Sequence, residues 1–202
     1  MPGRPRKVPQ PEARDPRQEI VAAASRLFAR RGIAATTMAE IAEAAGLAAS
    51  SLYYWFRSKQ QILEVIVEDV NRAPLAFAEE IAREEGPVTG RLHRLICFDV
   101  ETLCAFPFDI NEVHRMAAED APEFARYWAD RRRLIDAVER LVAEGVQRGE
   151  LRPVDPRLTA LTLLANDEAS QNWYRNESTY SASEIAMFLA DLAVTSLDRR
   201  EV

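Results

Sequence analysis

Residues 36–59 read TTMAEIAEAAGLAASSLYYWFRSK, and this stretch decides the fold. Thr36 or Thr37 caps a helix, and Glu40, three residues after Thr37, completes the spacing of a reciprocal capping box. Met38, Ile41, Ala42 and Ala45 recur at three- and four-residue steps, which gives that helix a buried side. Gly46 breaks it. A second short helix runs from Ala48 to Phe56, with Leu52 and Phe56 directed inward and hydroxyl and aromatic side chains on the other face. Two short helices joined by a glycine turn, the second presenting polar and aromatic groups, fit a unit that reads the DNA major groove.

Upstream, Ile20, Ala23, Ala24, Leu27 and Phe28 form the apolar face of a helix that starts at Pro16, where a missing N–H costs nothing. Arg30 and Arg31 before Gly32 make a favourable C-terminal stop. Residues 1–15, MPGRPRKVPQPEARD, hold four prolines and little apolar surface, the composition of a disordered basic arm. Downstream, Ser58 starts a helix carrying Ile62, Leu63, Ile66, Val67 and Val70, and Pro74 is expected to end or kink it. Further helices follow over Leu92–Leu103 (stopped near Pro107), Ile110–Met116, Pro122 to Gly149, and Asp155-Pro156 to Trp173. The last is expected to begin at Ser183 with Glu184 and to carry Ile185, Phe188, Leu189, Leu192, Ala193, Ser196 and Leu197. Strand-period segments, repeats and Gly-rich phosphate loops do not occur in the pattern. The expectation is an all-α chain of about nine helices.

Composition narrows the function. The net charge is −6 over 202 residues, yet it is unevenly placed. Residues 1–60 hold ten Lys/Arg against five Asp/Glu, and residues 61–202 hold 16 against 27. A basic head on an acidic body points to a polyanionic partner at one end and solubility at the other. No apolar run approaches the roughly 18 residues of a membrane span, and the basic, proline-rich start is not a secretory signal. Cys97 and Cys104 match no metal or redox motif. A cytoplasmic, reduced protein without cofactor or metal is the simplest reading. G-x-S-x-G, H-E-x-x-H and P-loop signatures are missing, so an enzyme is not expected.

Residues 36–59 also resemble the TetR family signature at Thr36, Thr37, Ile41, Ala42, Ala45, Gly46, Leu52, Tyr53, Phe56, Ser58 and Lys59. The preceding helix, with Phe28 and Gly32, sits where that family places it. Ala48 stands where the family usually has serine, which removes a cap of about 1 kcal/mol; Ser50 and Trp55 also depart from the common residues. The resemblance implies residues 16–75 as a helix-turn-helix DNA-binding domain and 76–202 as a ligand-binding and dimerisation domain. It implies that Ala48, Ala49, Ser50, Ser51 and Tyr54 face the groove, with Tyr53 beside the backbone. Thr36 belongs to the same DNA-binding set, and Thr37, Trp55 and Lys59 are expected on phosphates. Arg4, Arg6 and Lys7 either follow the DNA, entering a minor groove, or serve as a solubilising tail.

For the C-terminal part, the resemblance implies a homodimer through the last two helices, with Leu161, Ala165, Ile185, Phe188, Leu189 and Leu192 at the interface. It also implies an effector pocket among helices 88–105, 109–118 and 122–147. Candidate liners are His93, Cys97, Phe98, Glu101, Phe106, Phe108, Phe124, Tyr127, Trp128 and Trp173, although most of these also suit plain core. The tail NWYRNESTYSASEIAMFLADLAVTSL looks like that of members sensing acyl-CoA thioesters. His93, Cys97 and Cys104 share one helix side, as a polar effector or metal site would need or as ordinary packing would allow. His114 lies on the short helix where this family couples pocket to head. The expected function is a repressor released from a palindromic operator by a small hydrophobic, aromatic or acyl-CoA-like effector. The alternative is a ligand-binding or enzymatic bundle with a vestigial head.

Overall fold

Local capping sets the head of the molecule, as a computed structural model shows for residues 15–119, 122–176 and 179–199. Arg4, Arg6 and Lys7 lie outside these described residues. Helix α1 (Pro16–Arg31) starts on the Asp15 carboxylate, which accepts the Arg17 N–H at 2.9 Å. It stops at Gly32, whose φ of 81° few side chains tolerate. Helix α2 (Met38–Ala44) carries the full capping box of Thr37 and Glu40. Gly46, at φ 69°, turns the chain into α3 (Ala49–Trp55), whose N-cap Ala48 provides no side-chain bond.

Helix α4 (Lys59–Ile81), begun by the Ser58 hydroxyl, is the shaft joining head to body. Pro74 was expected to end or kink it; it does not end it, but sits buried inside a helix that continues to Ile81. An interior proline costs about 3 kcal/mol. That cost is offset by Val70, Leu75, Ala78 and Ile81, which are buried on either side of it.

The body comprises α5 (Val88–Ala105), α6 (Ile110–Glu119), α7 (Ala125–Gln147), α8 (Pro156–Asn176) and α9 (Ala182–Leu197). Ser181, not Ser183, caps α9, because only Ser181 has Glu184 at the three-residue spacing a capping box needs. One apolar cluster fills the head and extends into α6 and the start of α7 through Phe108, Ile110, Val113 and Phe124. The other lies among α4, α5, α7, α8 and α9. Phe28 of the head meets Phe108 edge-to-face, centroids 6.0 Å apart, so head and body share buried surface. Among the described residues no helix is long and apolar enough to cross a membrane.

Candidate nucleic-acid interface and buried polar cluster

Helix α3 is anchored by two residues and free elsewhere. Leu52 and Phe56 are buried in the head core, while Ala48, Ala49, Ser50, Ser51, Tyr53, Tyr54 and Trp55 are exposed. Tyr54 is 82% exposed, its ring edge-on to Trp55 at 5.3 Å. Packing alone does not account for three aromatic side chains held in water on so short a helix. Arg57, exposed at the turn into α4, adds a cation beside them that the sequence reading did not single out.

Two members of the expected DNA-binding set are engaged elsewhere. Thr36 is 1% exposed and donates its hydroxyl to the Gly32 carbonyl at 2.9 Å, securing the end of α1. Lys59 Nζ donates to the carbonyls of Ile33, Thr36 and Ala34, at 2.7, 2.8 and 3.3 Å. Its ammonium, with pKa lowered by burial, ties the α1–α2 loop to α4 instead of standing ready for a phosphate. The family pattern marks skeleton and contact residues alike, and the structure gives these two a place in the skeleton. Thr37 remains exposed, with its hydroxyl 2.8 Å from the Glu40 carboxylate.

The loop that Lys59 secures is also held from the body. Glu112 of α6 accepts the Ala34 N–H at 2.6 Å, and its charge acts on Lys59.

Deeper in the body, α5, α6, α7 and α8 converge on a polar cluster. Asp99 and Asp167 are both buried and hydrogen-bond to one another, which requires one proton between them. Burial raises both carboxyls. Glu168 is paired with Arg131, yet burial pushes its pKa up to about 7. His114 Nδ1 lies 3.7 Å from Glu168; burial and then Arg131 hold the imidazole down to about 4, so it is neutral at pH 7. Beside the cluster, Gln171 knits three elements together. Its amide donates to the Leu103 carbonyl at 2.7 Å and accepts the Ile110 N–H at 2.8 Å.

The expected pocket residues scatter around this region. Tyr127 and Trp128 adjoin the cluster, with Trp128 stacked on His114 and donating to the Ala117 carbonyl. Phe124 is fully buried in the head-side core, and Phe106 packs on Phe108 there. Phe98 stacks on Phe77 of α4. Glu101 and Trp173 are exposed, facing outward because they fall off the buried stripes of α5 and α8. His93 is half-buried, its Nε2 3.0 Å from Asp191 of α9, and Cys97 lies 3.7 Å from its other nitrogen. Cys104 is turned to Ser170 of α8 instead, so the three polar residues do not converge.

Comparison with known proteins assigns this arrangement. Residues 20–66 match the family model "Bacterial regulatory proteins, tetR family". Residues 85–197 match "Tetracyclin repressor-like, C-terminal domain". The chain belongs to the TetR family. As a TetR-family protein it is a DNA-binding transcriptional regulator, with the family's N-terminal helix-turn-helix and C-terminal helical domain. The HTH-type transcriptional repressor KstR2 of Rhodococcus jostii is 45% identical over 183 residues, 84% of this chain and 85% of that protein. The HTH-type transcriptional regulator TtgR of Pseudomonas putida is 29% identical over 163 residues, 76% and 77% of the two chains. The solved structure of the ketosteroid transcriptional regulator KstR2 of Mycobacterium tuberculosis shares the fold, with a TM-score of 0.77 at 22% identity over 94% and 98% of the chains.

In this TetR-family chain the outward faces of α8 and α9 carry a set of exposed apolar side chains. Leu158, Leu161, Ala165 and Trp173 of α8 and Met187, Phe188 and Leu192 of α9 are all exposed, Phe188 to 63%. Trp173, Tyr180, Glu184, Ile185 and Phe188 line an open groove of about 380 Å3 there. Ile185 and Leu189, expected on an interface, are only 3% and 6% exposed and belong to the chain's own core. Helix α9 carries two adjacent apolar stripes, and its contact with α5 uses up the one containing Ile185 and Leu189.

Proposed function

We propose that the protein is an effector-released repressor that works as a homodimer on a palindromic operator. The observation that carries this reading is α3: Ser50, Ser51, Tyr53, Tyr54 and Trp55 point outward from a head whose skeleton is fully packed. Two such helices, brought together through Leu158, Leu161, Phe188 and Leu192, enter major grooves about one helical turn, roughly 34 Å, apart. Covering that apolar surface with a second copy removes it from water, which is the driving force for pairing. The repressor assignment follows the name of the 45%-identical relative. The effector is a small molecule with a largely apolar body, seated among α5, α6 and α7. It releases DNA only insofar as it binds the released conformation more tightly than the DNA-bound one.

The test combines two measurements. Sedimentation gives the oligomeric state, and fluorescence anisotropy gives affinity for duplex DNA as a function of salt. The expected result is a dimer that binds duplex with a steep salt dependence. Tyr54→Ala is expected to lose about tenfold in operator affinity, within the range of a groove contact, while the dimer persists. A monomer indifferent to DNA at low salt overturns the reading.

A further inference from the structure

Helix α3 lacks every side chain that reads a base by a forked or ionic hydrogen bond. Guanine is commonly taken by Arg or Lys, adenine by Asn or Gln, and cytosine by Asp or Glu. None of these residue types occurs between Gly46 and Arg57, where the chain reads LAASSLYYWF. Leu52 and Phe56 are buried. At about 100° per residue, the row opposite them is Ser50 and Tyr54. Ser51 and Trp55 flank that row on one side, Ala49 and Tyr53 on the other. The face offered to DNA is thus made of methyl groups, short hydroxyls and aromatic rings. Cations around α3 are engaged elsewhere or stand past its end. Arg31 is paired with Glu40 at 2.8 Å, and Lys59 Nζ is spent on main-chain carbonyls. Arg57 follows the last turn, its backbone N–H accepted by Gln61 Oε1 at 2.8 Å, a position that suits a phosphate.

We propose, on the operator-binding reading above, that α3 reads thymine through its C5-methyl group, and that Tyr54 makes the principal contact. Thymine is the one base that shows an apolar group in the major groove. Tyr54 is 82% exposed, and its ring is held edge-on to Trp55 at 5.3 Å. A large apolar surface is therefore fixed before DNA arrives, and little ordering entropy is lost on contact. Ser50 lies one turn earlier on the same row. Its small side chain beside the Tyr54 ring leaves a step for a methyl group, while its hydroxyl bonds to several bases and does not discriminate. A recognition helix meets base edges with its N-terminal residues. There Ala48 and Ala49, both exposed, add methyl groups of their own. The alanine that denies α3 a capping hydroxyl thus keeps the leading end of the helix apolar.

Deoxyuridine isolates this contact. It keeps the Watson–Crick pair, the minor-groove edge and the phosphate of thymidine, and lacks only the methyl group. A methyl group covered at the interface is equivalent to about fourfold in affinity.

The test is a selection followed by substitution. Duplexes of random sequence are enriched on the full-length chain at fixed salt. The preferred duplex is then resynthesised with deoxyuridine for thymidine, first in the two half-sites and then only in the spacer between them. Fluorescence anisotropy is expected to show about a fourfold loss of affinity for each contacted thymine in the half-sites. No change is expected for the spacer, and the salt slope stays constant throughout, because no phosphate contact is altered. Tyr54→Ala is expected to bring the thymidine-to-deoxyuridine ratio towards one, whereas Tyr54→Phe, which keeps the ring, preserves it. Both changes fall at an exposed position, so helicity is expected to be unaltered. Half-sites without thymine, equal binding of the thymidine and deoxyuridine duplexes, or a ratio that survives Tyr54→Ala overturns the assignment. A chain that binds its preferred duplex equally well without the methyl groups loses only the thymine assignment. One that enriches no duplex loses the operator reading beneath it.

Discussion

Replacing Lys59 by methionine separates a phosphate contact from a structural tie. The stem of the side chain is kept and only the ammonium is removed. Three carbonyl contacts at 2.7, 2.8 and 3.3 Å disappear together. Hydrogen bonds to a charged group are each worth about 1.5–3 kcal/mol, but these three share one donor that is only partly shielded from water. The group as a whole is therefore worth about 2 kcal/mol. For a chain of this size that corresponds to a fall of about 4–8 °C in Tm. The α1–α2 loop it holds carries Thr37 and leads into the helix-turn-helix, so DNA affinity falls as well. The decisive quantity is the slope of log affinity against log salt. Each lost phosphate contact reduces that slope by about 0.9, whereas loss of a tie inside the protein leaves it unchanged. Lys59→Met is expected to lower Tm and affinity at constant slope. A slope reduced by about one with Tm unaltered refutes the argument and returns Lys59 to the DNA.

Further outcomes follow from the same geometry. Phe188→Glu with Leu192→Lys places charge on the exposed face of α9 without touching buried Ile185 or Leu189; sedimentation is expected to find folded monomers, and a persisting dimer counts against this surface. Glu112→Gln weakens the acceptor of the Ala34 N–H, so exchange of the Ala34 amide, followed by NMR, is expected to quicken by about tenfold, equivalent to roughly 1.4 kcal/mol; unchanged protection removes Glu112 as a tie to the head. Stability is expected to fall as pH rises from about 4.5 to about 7. The Glu168 carboxyl is held at about 7 in the folded chain against 4.5 unfolded, so over that window the folded state binds more protons and protonation favours it. Asp99 and Asp167 act in the same sense, while His114, held at about 4 against 6.5, opposes them. Glu168→Gln is therefore expected to flatten the decline in Tm between pH 5 and 8, and an unaltered profile contradicts the assignment.

What could be read from sequence was what is decided locally. Gly32, the Thr37–Glu40 pair and Gly46 set the ends of α1 and α2 through contacts within a few residues, and they were legible for that reason. That Pro74 does not end α4 was not legible, because its cost is local while the burial that offsets it is against helices distant in sequence. The apolar repeat of α9 was visible, but which of its two stripes meets α5 depends on the neighbour. The buried acids were passed over because carboxylates on amphipathic helices usually form solvated faces. A signal was nevertheless present. Asp99 stands three and four residues from Ile96, Leu95 and Leu103, and Asp167 three and four from Leu164, Leu163 and Gln171, so each acid interrupts an apolar or buried stripe at helical spacing. A charge in that position is either expensive or useful.

The placement of these acids bears on how head and body communicate. Glu112 and His114 are two residues apart on α6, roughly 200° around the helix. One side chain holds the Ala34 amide in the head and the other faces Glu168 in the body. Val113 and Ala117 pack α6 into the same cluster that contains Phe28 and Phe56. A displacement of α6 in the body must therefore reach the α1–α2 loop it braces, because a close-packed interior transmits displacement instead of absorbing it. The coupling is also reciprocal. If seating an effector in the body weakens operator binding by some factor, operator DNA must weaken that effector by the same factor. Shortening Glu112 to aspartate relaxes the connection without touching the acids, so both factors are expected to shrink together.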